Sequence, residues 1–240
     1  MSETRGHILV VGASSGIGRA VAERLAATTQ VTAVARRADR LAELAASGVA
    51  TVAADVADLS GIAGLVQGIV AERGLLTGLV YCAGVQLIKP MRALAVDEVD
   101  RLYRINLVAP TVFASAFASA RVSTRDSVFC AVSSVAAQRP EPAIVPYAAS
   151  KAGLDALIKG LARELAPRRA VGVAPGWLDT EMTQSQARLY TAEFREALEK
   201  RSPTGIATVE SVVDAIAFLL SPQARYVTGE ILRVDGGATL

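Results

Sequence analysis

Histidine and cysteine are scarce: the 240 residues hold one His, His7, and two Cys, Cys82 and Cys130. That excludes a site of several histidine ligands and a disulfide scaffold. Both cysteines lie in apolar runs, where reduced core thiols are expected, and His7 is expected at the surface, where the first strand begins. An excess of one sign of charge is also missing. Basic residues number 25 and acidic ones 23, a formal net charge of +2, with no Lys/Arg run of the kind nucleic acid or an anionic bilayer binds. Long hydrophobic stretches are absent: the longest uncharged one, 105–120, contains Asn106, Pro110, Thr111 and serines, short of the ~20 mostly apolar residues of a membrane span. Residues 1–6 are polar and carry no apolar signal core. No period repeats, which excludes a solenoid or coiled coil. A soluble, cytoplasmic protein without nucleic-acid or membrane partners is expected.

Apolar residues are plentiful, at 52% against 20% charged, enough for a sizeable buried core. They fall into a repeated strand–turn–helix pattern. Unbroken apolar runs predict strands at 8–11, 31–35, 49–53, 79–82, 127–132, 171–174 and 231–234, as in a parallel sheet buried on both faces. Helical spacing follows most of them: after 16, after 41, at 60–73, at 96–118 with a bend at Pro110, at 147–165, at 193–200 and at 209–220. No linker or composition shift divides 1–240. The pattern predicts one α/β domain, a doubly wound parallel sheet of about seven strands with helices on both faces. Ligands of such sheets sit at the carboxyl ends of the strands.

The first such end reads Gly12-Ala-Ser14-Ser15-Gly16-Ile17-Gly18. A glycine at 12 permits the tight turn, and those at 16 and 18 let backbone approach a pyrophosphate and helix pack on strand. The helix N-terminus then offers free N–H groups to the phosphates. At the end of the second strand, an acidic residue would take the ribose hydroxyls of NAD. Here the residues are Arg36 and Arg37, suited to the 2′-phosphate of NADP through charge-assisted hydrogen bonds. NADP is therefore favoured over NAD; the plainer alternative pairs the arginines with Asp39 or solvent.

Tyr147-Ala-Ala-Ser-Lys151 places a phenol and an ammonium one helical turn apart on the same face. A cation beside a phenol favours the phenolate and fits it to exchange a proton with a carbonyl or alcohol oxygen. Ser133 and Ser134 close the preceding strand and can offer that oxygen a hydroxyl. An ordinary helix start with a surface lysine is the plain alternative for the pair alone.

Taken in order, these motifs resemble the short-chain dehydrogenase/reductase family, in its compact single-domain (Rossmann) branch with members such as 3-oxoacyl-carrier-protein reductases. The likeness runs from Ile8 to Gly237. Gly12, Gly16 and Gly18 match the cofactor glycines; Asp55 and Val56 match the adenine-contacting pair. Asn106, Ser134, Tyr147 and Lys151 match the catalytic tetrad, and Ala174-Pro175-Gly176, with Leu178 and Thr180, matches the nicotinamide turn. Thr228-Gly229 and Val234-Asp235-Gly236-Gly237 match the C-terminal signature. The resemblance implies that Tyr147 is the general acid in reduction and Ser134 polarises the carbonyl. Lys151 would tune Tyr147 and bind the nicotinamide ribose, while Asn106 holds a water that relays protons. Hydride chemistry would come from the cofactor, with no metal. A homo-oligomer, tetramer or dimer, is implied through the helices at about 97–118 and 147–165 and the last strand.

The chain departs from the family pattern in three places, one of them Gly172 in a short sixth strand, where Asn is common. Val11 stands where Thr is usual, and Tyr81-Cys82-Ala83-Gly84 replaces Asn-Asn-Ala-Gly. The expectation is apolar contact between Val11 and Cys82, with Cys82, Ala83 and Gly84 still flanking the cofactor and no basic neighbour to activate the thiol. Substrate recognition is assigned to 86–91, 136–145 (Gln138 and Arg139 for polar contacts) and 177–203, with Trp177 as a wall or, alternatively, a subunit contact, and a lid at about 178–205. No arginine cluster marks a carboxylate or phosphate on the substrate. The expected function is NADP(H)-dependent interconversion of a ketone and a secondary alcohol, run reductively. An NAD-linked alcohol dehydrogenase and a non-catalytic dinucleotide sensor are the alternatives.

Overall fold

Strand β1 (His7–Val11) is buried along its whole length. Its alternate side chains serve two different cores, Leu9 and Val11 entering one, Ile8 and Val10 the other, as the two-residue period of a strand dictates. The computed structural model describes residues 6–184 and 191–240. Within them the chain continues as α1 (Gly16–Ala26), β2 (Gln30–Ala35), α2 (Ala38–Ala45), β3 (Ala50–Ala53), α3 (Ile62–Arg73), β4 (Leu76–Tyr81), α4 (Val96–Tyr103), α5 (Ala109–Phe117), β5 (Ser123–Val132), α6 (Val145–Glu164), β6 (Arg169–Pro175), α7 (Glu181–Gln184), α8 (Ala192–Arg201), α9 (Val209–Leu220) and β7 (Ile231–Val234).

The strands form one parallel sheet in the order β3-β2-β1-β4-β5-β6-β7. This is the expected single doubly wound α/β domain. Helices α3, α5 and α6 cover one face through Val66, Phe113, Phe117, Leu154 and Ile158; α1, α2 and α9 cover the other through Val21, Leu44, Val212 and Ile216. The winding runs outward from β1 to β3 and resumes on the other side at β4. A crevice therefore opens at the carboxyl ends of β1 and β4, where the order reverses. No helix among the described residues is long and apolar enough to cross a membrane.

Three expectations are corrected here. His7 is not a surface residue: it is buried. Its Nδ1 lies 3.0 Å from the Gly74 carbonyl and its Nε2 lies 2.9 Å from the Thr32 hydroxyl. A carbonyl only accepts, so Nδ1 carries the proton and Nε2 accepts from Thr32; burial holds the imidazole pKa below its ordinary value. Strands β4, β5 and β6 begin three, four and two residues earlier than their apolar runs, because polar residues at their starts are satisfied: Ser123 donates to Phe117 O at 2.7 Å and accepts from Arg168 at 2.9 Å. The helix foreseen at 96–118 is interrupted by a π turn at Arg104–Val108. Pro110 has no N–H to return to the Asn106 carbonyl, and the Ala109 N–H instead reaches back five residues to Arg104 O.

Candidate active site

The turn after β1 depends on two glycines. Gly12 sits at φ +89°, and a Cβ there would lie 2.4 Å from the Ala83 nitrogen; at Gly18 it would lie 2.3 Å from the Gly12 carbonyl oxygen. The β1 and β4 ends and the start of α1 thus meet backbone to backbone, leaving a cradle for a ligand that needs main-chain contact. Gly12→Ala is expected to cost about 2–3 kcal/mol from positive φ and displaced backbone, lowering Tm by roughly 6–10 °C and weakening dinucleotide binding. Gly64→Ala in α3, with nothing within 4 Å of the added carbon, is the control expected to leave both unchanged or slightly improved. Thermal melts and cofactor titration check the pair.

The glycine turn lines a cavity of about 910 Å³. Gly12, Ser14, Ser15, Gly16, Ile17 and Gly18 border it with Arg36, Arg37, Asp55 and Val56 at the β2 and β3 ends. Cys82, Ala83 and Gly84 border it after β4, Ser134 after β5, and Tyr147 and Lys151 on α6. Pro175, Gly176, Leu178 and Thr180 follow β6 along the same wall. The cavity brings together every residue expected to serve catalysis or hold the cofactor except Asn106.

At the β2 end of the cavity the arginines do not use Asp39 in the contacts seen. Arg36 lies 3.7 Å from Asp55, and Arg37 lies 2.9 Å from Glu181, a residue the sequence reading did not single out. Arg37 also donates to Ser14 (3.1 Å) and Ser15 (2.7 Å), so it fastens the glycine turn from outside.

On α6, Tyr147, Lys151 and Asp155 follow at four-residue intervals. The Lys151 ammonium lies 5.9 Å from the Tyr147 ring centre and donates to Val132 O at 2.8 Å. Burial pulls its pKa down to about 8, against the pull of Cys82 and Asp155. Ser134 accepts from the Ala136 N–H at 3.2 Å, capping a short turn that fixes its direction. Ser133 donates to the buried Asp155 carboxylate and ties the β5 end to α6, a contact the sequence did not reveal; burial raises the Asp155 pKa. Asn106 lies in the π turn behind the cavity and is fully buried. Its amide accepts from the Val85 N–H (2.9 Å) and donates to Val85 O (2.9 Å) and Ser150 (3.1 Å). π turns recur at functional sites. Gly84 runs beside both groups: a Cβ there would make ordinary contact with Asn106 Oδ1 at 3.5 Å and Lys151 Nζ at 3.6 Å.

Val11 and Cys82 are neighbours through backbone, Cys82 N–H to Val11 O at 2.8 Å, but their side chains enter opposite cores, so the expected apolar contact is not formed. Lys151 is near enough to pull on the Cys82 thiol, contrary to the expectation of no basic neighbour, yet burial dominates and pushes that thiol up. Cys130 is fully buried and pushed up to about 12.

The cavity is further walled by Gln86, Ile88, the 139–144 loop and Trp177, and by Phe194, Leu198 and Arg201 on one face of α8. Trp177 meets Phe194 edge-on at 6.3 Å between centroids. Gln138 and Met91 stay outside the lining, whereas Arg139 and Arg201 both enter it; at 62 residues' separation these two were not legible as a cluster. Of the expected lid, 185–190 lie outside the described residues.

A family model described as enoyl-(acyl carrier protein) reductase matches residues 12–239. The 3-oxoacyl-(acyl-carrier-protein) reductase FabG of Escherichia coli (strain K12) is 32% identical over 236 residues, 95% of each chain. A short chain dehydrogenase from Burkholderia cenocepacia J2315, solved in complex with NADP, has a TM-score of 0.88 at 31% identity and covers 98% of both chains. The ligand-free aldohexose dehydrogenase of Thermoplasma acidophilum has a TM-score of 0.89 at 26% identity over 98% of this chain and 94% of its own. Sequence and fold agree over almost the entire length, and this chain belongs to the short-chain dehydrogenase/reductase family of oxidoreductases.

Proposed function

We propose that this oxidoreductase reduces a ketone to a secondary alcohol with NADPH. The observation that carries the reading is the shared cavity, in which Ser134, Tyr147 and Lys151 border the same space as the glycine turn. The cradle at Gly12 and Gly18 fits a dinucleotide pyrophosphate, and Ser14 to Gly18, Asp55, Val56 and the 175–180 segment would hold the rest. A reduced nicotinamide supplies the hydride when bound. The chain supplies the proton and the orientation: Tyr147 protonates the carbonyl oxygen, Ser134 donates to it as charge develops, and Lys151 stabilises the phenolate left behind. Asn106 braces the 84–86 loop against α6 and so positions Lys151.

The description of the matching family model names an enoyl reductase, that of the Escherichia coli relative a 3-oxoacyl reductase. Ser134 and Tyr147 border one cavity and together offer two hydroxyls to a single carbonyl oxygen, which supports hydride addition at the carbonyl carbon itself. A screen of NADPH consumption pairing each 3-oxoacyl thioester with its 2-enoyl counterpart, alongside simple ketones, tests this; turnover of the enoyl member alone would overturn it.

Arg36 and Arg37 support NADPH, while Asp55 and Glu181 beside them favour the NAD-linked reading. Arg37→Ala is expected to weaken NADPH binding by roughly ten-fold, one charge-assisted contact, and to leave NADH within about two-fold. Wild type binding NADH as tightly as NADPH would decide for the NAD reading. A homo-oligomer is part of the proposal, supported by the exposed Val96 and Val108 on one side and Tyr226 and Leu240 near the C-terminus.

A further inference from the structure

We propose that Glu181 is a carboxylate gate on the 2′-phosphate site: it holds Arg37 until a phosphate displaces it, and in doing so limits the preference for NADPH and links the adenosine end of the cavity to the substrate wall. The inference rests on the NADPH reading above and names a residue that tunes it.

Every guanidinium nitrogen of Arg37 is engaged. Nη1 lies 2.9 Å from Glu181 Oε2, Nε lies 3.2 Å from Ser14 Oγ, and Nη2 lies 3.1 Å from Ser14 Oγ and 2.7 Å from Ser15 Oγ. Arg40 adds a second cation, 3.8 Å from Glu181 Oε1. The pairing with Arg37 holds the Glu181 carboxyl below its usual range. A phosphate that uses Arg37 brings about two negative charges to the atom this carboxylate already occupies. The two anions cannot share Nη1 without repulsion at contact distance, so Glu181 must turn away. A ribose with a free 2′-hydroxyl makes no such demand. Glu181 therefore opposes NADPH and is indifferent to NADH.

The displacement has somewhere to go. Glu181 opens α7 within a short hydrogen-bonded unit: Thr183 Oγ1 donates to Leu178 O at 2.8 Å and accepts from the Thr180 N–H at 2.9 Å, and Gln184 donates to Asp179 at 3.1 Å. Trp177 leads directly into this unit, and its ring packs against Phe194 of α8. Both aromatic residues line the cavity. A shift of 178–184 moves the wall against which a substrate would rest.

Adenosine 2′,5′-bisphosphate and AMP separate the effect, because both reach the adenosine end and only the first carries the 2′-phosphate. Relative to wild type, Glu181→Gln should bind the bisphosphate roughly five-fold more tightly, and Glu181→Ala at least as tightly, with AMP unchanged within about two-fold; the gain should shrink as salt is raised. Trp177 is the only tryptophan in the sequence, so its emission reports the wall: the bisphosphate should shift it and AMP should not. Equal changes for the two ligands, or weaker bisphosphate binding in both variants, would overturn the gate and make Glu181 a brace for Arg37. The NADPH reading is judged separately, from the wild-type ratio of the two ligands, whereas the gate is judged from each variant against wild type. The Glu181 side chain is 46% exposed, so neither substitution disturbs the core.

Discussion

Replacing Tyr147 by Phe is expected to lower turnover about a thousand-fold while NADPH binds within about two-fold of wild type, because general acid catalysis contributes ~10²–10⁴. The substitution removes one oxygen and leaves the ring, the α6 backbone and the Ser150 donation to Tyr147 O (2.7 Å) in place. Lys151 keeps its own anchor on Val132 O. What disappears is the proton donor, and a carbonyl that receives hydride without a proton must carry the full alkoxide charge. A thousand-fold loss corresponds to about 4 kcal/mol in the barrier. Single-turnover NADPH oxidation and equilibrium titration together check it. A variant that retains more than about a tenth of wild-type turnover would transfer the proton-donor role to Ser134 or solvent. A wild type that binds NADPH but turns over no carbonyl or alcohol would favour the sensor reading instead.

The sequence made some of this architecture legible and hid other parts, for physical reasons. Ile8 to Val11 is readable because a strand covered on both faces must be apolar throughout, whatever its neighbours. Gly12 is readable because only glycine serves at φ +89° beside the Ala83 nitrogen. Tyr147 and Lys151 are readable because four residues make one helical turn. The hidden features depend on what the chain meets far away. His7 is satisfied by Gly74 and Thr32, and no local pattern distinguishes a buried histidine from an exposed one at a strand start. The Arg37 partner lies 144 residues onward, so Asp39, close in sequence, was the nearer alternative. Asp155 could have been found, since it continues the Tyr147–Lys151 spacing by another turn; its bond to Ser133 needed the packing of β5 against α6. Pro110 pointed to an irregular helix, but not to a π turn that aims Asn106 at Val85 and Ser150.

Lys151 is where function and stability conflict. The ordinary lysine pKa is 10.5, and burial brings it to about 8, so at pH 7 the group stays an ammonium in a place where burial disfavours the charge. The shift amounts to about 3 kcal/mol of destabilisation. The unfolded chain binds the proton more tightly between pH 8 and 10.5, so stability from this group rises with pH across that window; below pH 8 the penalty is complete. Lys151→Met removes the penalty and leaves the Val132 carbonyl without its donor, a loss of about 1 kcal/mol. At pH 7 the variant is therefore expected to melt no lower than wild type, and the difference should narrow as pH approaches 10. Its turnover should nevertheless fall by roughly 10²-fold or more, because nothing then stabilises the Tyr147 phenolate. For the wild type, kcat/KM for reduction should decline above about pH 8, where the free enzyme loses the ammonium, and that descending limb should be absent from the residual activity of the variant. Melting curves and pH–rate profiles of the two proteins decide the matter together. A variant less stable than wild type by several kcal/mol, or one that keeps the pH 8 limb, would show that Lys151 serves the fold and not the proton transfer.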